Sequence, residues 1–169
     1  MDQTKCECGY PGWREYINQS QLNEINMSYQ GSTGDDTGLN SLERRLQEAL
    51  KIILSTTGSE IIKFVYLYGS AAHGGLHPGS DIDLCICYEA DEKKSIGFLL
   101  EVLGRIGSDI FDIKLFKQLP LYVQIDVFKG RLLYSRDLQA VYDVAYETIS
   151  EYEDFMPRFY DYIGKEAIR

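Results

Sequence analysis

The chain has 169 residues, 44% hydrophobic and 25% charged, which points to an ordinary globular protein with one core and leaves no room for a second independent one. Twenty-six acidic against 17 basic residues give a net charge of -9, which repels phosphate backbones and speeds encounter with a basic protein; no direct nucleic-acid partner is expected. No stretch approaches the apolar length of a membrane span, and the start MDQTKCECGYPGW lacks a signal-peptide pattern, so the expectation is a cytoplasmic protein with no membrane association.

Residues 1–38 are polar and rich in Gly, Ser, Asn, Asp and Gln, with no sustained apolar period, and read as an irregular N-terminal extension to a domain spanning 39–169. At Asn40 the character changes. Asn40 and Glu43 make a capping-box-like start, and Leu42, Leu46, Ala49, Leu50 and Ile53 recur at helical spacing, to a stop near Ser55 to Gly58. Ile61 to Tyr68 is β-branched and aromatic and bounded by glycines, which predicts a buried strand. A Gly-rich connector, GSAAHGGLHPGS, leads to a second strand, Asp81 to Tyr88. The stripe Ile96, Leu99, Leu100, Leu103 and Ile106 marks a helix, and Asp109 to Phe116 a third strand. Pro120 opens a short helix that stops at Gly130, and Arg131 to Tyr134 is a brief fourth strand. From Asp137 to Ile163 a helical period persists across Pro157, which should kink or break it. Tyr142, Tyr146, Tyr152, Tyr160 and Tyr162 crowd this segment and have two readings, core residues with wetted phenol tips or a partner-binding face.

Four cysteines fall in two C-x-C pairs, a poor match to zinc-site spacing. Cys85 and Cys87 read as small buried residues of a strand, whereas Cys6 and Cys8 have no account beyond an exposed tail.

The chemistry concentrates in GSAAHGGLHPGSDIDL, where Gly69 and Ser70 are followed by ten residues and then Asp81, Ile82 and Asp83. Side chains alternate along a strand, so Asp81 and Asp83 project from one side, and two carboxylates so close repel unless a dication lies between them. Hard oxygen donors suit magnesium. Gly69 lets backbone approach a phosphate, and the N–H groups that follow, with the Ser70 hydroxyl, can cradle a triphosphate. Two metal ions roughly 3.5–4 Å apart steady the attacking and leaving oxygens of an in-line displacement. A third carboxylate should arrive from a neighbouring strand. Asp112, flanked by Phe111 and Ile113, is the candidate; Asp109 at the strand's entry and Asp126 in a helix read as solvated. His73 and His77 are a poor zinc site, and His73 reads instead as a phosphate contact. Gly79 and Ser80 turn the chain into the second strand, with Ser80 placed to hydrogen-bond a ligating carboxylate.

The GS-x10-DxD pattern resembles the signature of the DNA polymerase β nucleotidyltransferase superfamily. The small size, FDIKLF, PLYVQIDVFKGRLLYSRD and the helical tail are similar specifically to MntA-type minimal nucleotidyltransferases, which act as antitoxins; the likeness runs from about Leu42 to Ile163. The resemblance implies an α/β minimal nucleotidyltransferase fold, with a short mixed sheet of about four strands, helices on one face and a helical C-terminal tail. It also implies transfer of AMP from ATP to a tyrosine of a HEPN-family ribonuclease toxin, in a hetero-oligomer with that toxin. Carried over, Asp81 and Asp83 would hold both Mg2+ ions, Asp112 one of them and the tyrosine hydroxyl, and Gly69 and Ser70 the triphosphate, with His73 where relatives often have arginine. Two other readings stay open: a nucleotidyltransferase acting on a small molecule, and a non-catalytic antitoxin that blocks its toxin by binding alone.

Overall fold

The computed structural model describes residues 39–72 and 81–163. The first helix, α1 (Leu39–Ser55), is followed by a 3-10 turn (Ser59–Ile61) and strand β1 (Ile62–Tyr68). A four-residue helix α2 (Gly69–Ala72) precedes β2 (Ile82–Tyr88), α3 (Glu92–Ile106) and β3 (Phe111–Leu115). A second 3-10 turn (Phe116–Gln118), α4 (Leu121–Phe128), β4 (Arg131–Ser135) and α5 (Leu138–Ile163) complete the chain order. The strands form a mixed sheet in the order β3-β2-β1-β4, with β1 antiparallel to both β2 and β4 and β2 parallel to β3. This is the short mixed sheet with helices and a C-terminal helix that the sequence led us to expect.

Strand alternation divides the core in two. Ile62, Val65, Leu67, Ile82, Leu84, Ile86, Ile113 and Leu115 pack with Leu46, Ala49 and Ile53 of α1 and with Phe98 and Val102 of α3. On the opposite face Phe64, Tyr66, Tyr68, Cys85, Cys87 and Leu132 pack with Phe116, with Val127 and Phe128 of α4, and with Val141 and Ala145 of α5. So α4 and α5 cover part of the second face, and the tail belongs to the core. Phe64 anchors it, edge-on to Tyr66, Phe116 and Phe128 with ring centroids 5.4–5.8 Å away.

Local chemistry explains the boundaries. Asp91 caps α3, its side chain accepting from the Lys94 N–H at 3.0 Å, and Gly107 in the left-handed region ends the helix. Glu43, expected to close a capping box, pairs instead with Arg131 of β4 at 3.0 Å, because the folded chain brings the start of β4 beside α1. Pro157 does not break α5, which runs on to Ile163. Pro157 and Glu153, whose carbonyl loses a partner there, are both exposed, so water can serve that carbonyl. Among the described residues no helix is long and apolar enough to cross a membrane. Residues 1–38, and with them the expected N-terminal extension and Cys6 and Cys8, lie outside the described residues.

Candidate functional site

Two register pairs build the site. Tyr68, the last residue of β1, is the partner of Asp83 in β2, and Asp83 is in turn the partner of Asp112 in β3. Register partners share a face, so Tyr68, Asp83 and Asp112 form a row across three strands at one end of the sheet. Asp81 lies just ahead of β2, exposed to solvent, where Ile82 N–H donates to the Ile110 carbonyl at 2.7 Å and fixes the strand's entry. The same face continues inward through Cys85 and Cys87, both buried free thiols, as expected of them. Burial pushes the Cys87 thiol up to about 11 and that of Cys85 well above its ordinary value, so both remain protonated in the folded protein.

Gly69 follows Tyr68 and stands against the carboxylate row. Its φ of 68° lies in the left-handed region, and a methyl group added to it would run into the Asp83 carboxylate. Backbone conformation therefore favours glycine there, and any side chain would also have to displace the Asp83 carboxylate. Ser70, next in α2, is exposed, and Ala71 buries the helix against the sheet. His73, His77, Gly79 and Ser80 lie outside the described residues.

The electrostatics of the row are unbalanced. Burial raises the pKa of Asp83, and the neighbouring Asp112 and Asp81 raise it further, while Lys114 opposes them. The Tyr68 phenol is pushed well above its ordinary value, first by burial and then by Cys85, Asp83 and Asp112. Closely grouped carboxylates of this kind call for a cation, and an all-oxygen donor set suits magnesium, so these residues fit the ions that the sequence motif implies. In the conformation described, Asp112 Oδ1 is engaged by Lys114 Nζ at 2.9 Å. No three His, Cys, Asp or Glu side chains among the described residues stand as a formed metal cluster.

Of the candidates in the sequence, the fold thus brings Asp83, Asp112 and Gly69 together and puts Asp81 at the same strand end. Asp126 is held apart, in an exposed ion pair with Lys129 at 2.6 Å. Tyr68 and Lys114 were missed. The signal for each was parity: Tyr68 shares the phase of Phe64 and Tyr66, and Lys114 stands two residues from Asp112 on one strand. The crowded tyrosines of α5 divide, Tyr142 being partly buried and Tyr146 66% exposed beside a groove of about 590 Å³ lined by Leu121, Glu147, Glu151 and Phe155. None of the carboxylates of the row lines that groove.

Comparison with known proteins agrees with this fold. The family described as "Polymerase beta, Nucleotidyltransferase" matches residues 48–139, more than half of the chain. A Methanocaldococcus jannaschii protein named "putative protein adenylyltransferase" is 34% identical over 76 residues, which is 44% of this chain and 57% of that relative's length. A chain from a crystal structure of a toxin-antitoxin with AMP-PNP is similar at a TM-score of 0.57 and 19% identity, covering 73% of this chain and 98% of its own. A chain from a complex of tri-AMPylated Shewanella oneidensis HEPN toxin with MNT antitoxin is similar at 0.54 and 18%, covering 75% and 98%. At these identities the likeness to solved structures is one of fold.

Proposed function

Because this chain belongs to the polymerase beta nucleotidyltransferase family, we propose that it transfers AMP from ATP to a tyrosine of a cognate HEPN-family ribonuclease toxin and thereby neutralises it. The observation that carries this reading is the register of Asp83 with Asp112 beside a glycine at which any side chain would displace the Asp83 carboxylate. Asp81, Asp83 and Asp112 hold the cations, and Gly69 and Ser70 receive the triphosphate, with His73 contacting a phosphate and Ser80 hydrogen-bonding a ligating carboxylate. Bound magnesium supplies neutralisation of the triphosphate and acidifies the attacking hydroxyl.

The acceptor tyrosine oxygen bonds to the α-phosphorus as the bond from that phosphorus to the bridging oxygen breaks, and pyrophosphate leaves. Asp112, on the edge strand, orients the acceptor hydroxyl, whose proton passes to solvent. The acidic chain, at -9, favours a basic partner. The fold it shares with chains from toxin-antitoxin complexes supports the same choice of partner.

The test is mass spectrometry of a cognate HEPN toxin incubated with the protein, ATP and Mg2+. The toxin gains mass in AMP units with the wild type and none with the D81N/D83N double variant. An unmodified toxin beside an active control overturns the reading. Toxin neutralisation in cells that survives D81N/D83N would show that binding alone suffices.

A further inference from the structure

Lys114 is the charge on the carboxylate face that the proposed reaction leaves unused. It stands two residues from Asp112 on edge strand β3, so the pleat keeps both side chains on one face whatever their rotamers. Its Cα partner across the sheet is Cys85, a fully buried, uncharged neighbour that offers the ammonium nothing. Its partner is Asp112, at 2.9 Å, and the two side chains are 50% and 40% exposed. A pair so wetted is weak and exchanges readily.

We propose that Lys114 is a positioning residue that holds the third carboxylate in the metal-free protein and gives it up when a divalent cation enters. Its ammonium stands in for a cation, limiting repulsion among Asp81, Asp83 and Asp112 while no ion is bound. A divalent ion competes for the same Asp112 oxygen with twice the charge and a preference for carboxylate donors. Lys114 therefore lowers the affinity of the site for metal while stabilising the empty form. The inference rests on the reading of the three aspartates as metal ligands.

The test titrates the nucleotide-free protein with Mn2+, an octahedral oxygen-seeking probe, and follows free Mn2+ by electron paramagnetic resonance. Removing the competing pair in K114M tightens the manganese Kd by about two- to fivefold, the range that a part-exposed ion pair commands. K114R, which keeps the charge, tracks the wild type. In EDTA, K114M melts below the wild type, and saturating Mg2+ closes the gap, a crossover that a purely structural lysine would not produce. In a D112N background K114M tightens the manganese Kd by less than it does in the wild type, since the pair is already gone and only the weaker effect of Lys114 on Asp83 is left.

A manganese Kd in folded K114M that equals or exceeds the wild-type value overturns the inference and leaves the metal site standing. Wild-type protein that takes up no manganese, with or without ATP, overturns the metal site and the inference together. Should K114M fail to fold, K114Q under the same titration replaces it.

Discussion

The two faces of one four-stranded sheet have been put to opposite uses. Beneath α1 and α3 the alternate residues Leu67, Leu84, Ile86 and Ile113 are all apolar and nearly inaccessible from one strand end to the other. On the reverse face the aromatic cluster around Phe64 fills only one end, under α4 and α5, and the row Tyr68, Asp83, Asp112 occupies the other. The same backbone therefore carries a closed core on one side and, on the other, a carboxylate row at the edge of a core. The lesson is that the candidate site exists where helical cover stops, and that the closed face holds the strands in the register on which it depends.

The largest break in this comparison comes from the carboxylates themselves. D83N and D112N should each lower AMP transfer by on the order of 10²–10³-fold, the scale of a lost charge-stabilising contact, with melting curves that remain cooperative. On the closed face, Ile86→Ala should do the reverse. Truncating this fully buried residue should cost about 3 kcal/mol in urea unfolding, lowering the melting temperature by roughly 6–12 °C while transfer persists below it. Gly69→Ala joins the two effects. Its positive φ strains any side chain by about 1–2 kcal/mol, and the added methyl displaces the Asp83 carboxylate, so both melting temperature and transfer should fall.

A smaller effect is a pH dependence. Asp83 has its folded pKa raised by burial and by Asp112 and Asp81, so its contribution to stability is fully present below its unfolded pKa and is lost as pH rises through the folded value. In EDTA the melting temperature of D83N should therefore gain on that of the wild type as pH rises from about 4, across the window in which the buried carboxyl gives up its proton, with saturating Mg2+ removing that advantage. A difference that stays flat across this window would mean that the carboxylate row carries no excess charge.

Much of this division was legible in the sequence. β-Branched and aromatic runs located β1, β2 and β3 to within two residues, and the DxD spacing placed Asp81 and Asp83 on one side. Asp112 was separable from Asp109 and Asp126 by its central place in an apolar strand, and its register with Asp83 appeared only in the fold. What stayed hidden depends on contacts between residues distant in sequence. Glu43 looks like part of a cap until Arg131 is seen beside it, and the burial of Val141 and Ala145 against the aromatic face follows from where α5 docks. The 3-10 turns at Ser59–Ile61 and Phe116–Gln118 are too short to show a period. Pro157 misled because helix-breaking is judged locally, whereas an exposed turn can leave the orphaned carbonyl to water.

The central claim is that the carboxylate row serves to bind a metal-nucleotide complex, and isothermal titration calorimetry with ATP tests it most directly. The account predicts that ATP is taken up with Mg2+ present, that uptake is lost in EDTA, and that D83N abolishes it without altering the fold. Equal uptake of ATP with and without Mg2+, or uptake unchanged in D83N, would contradict it.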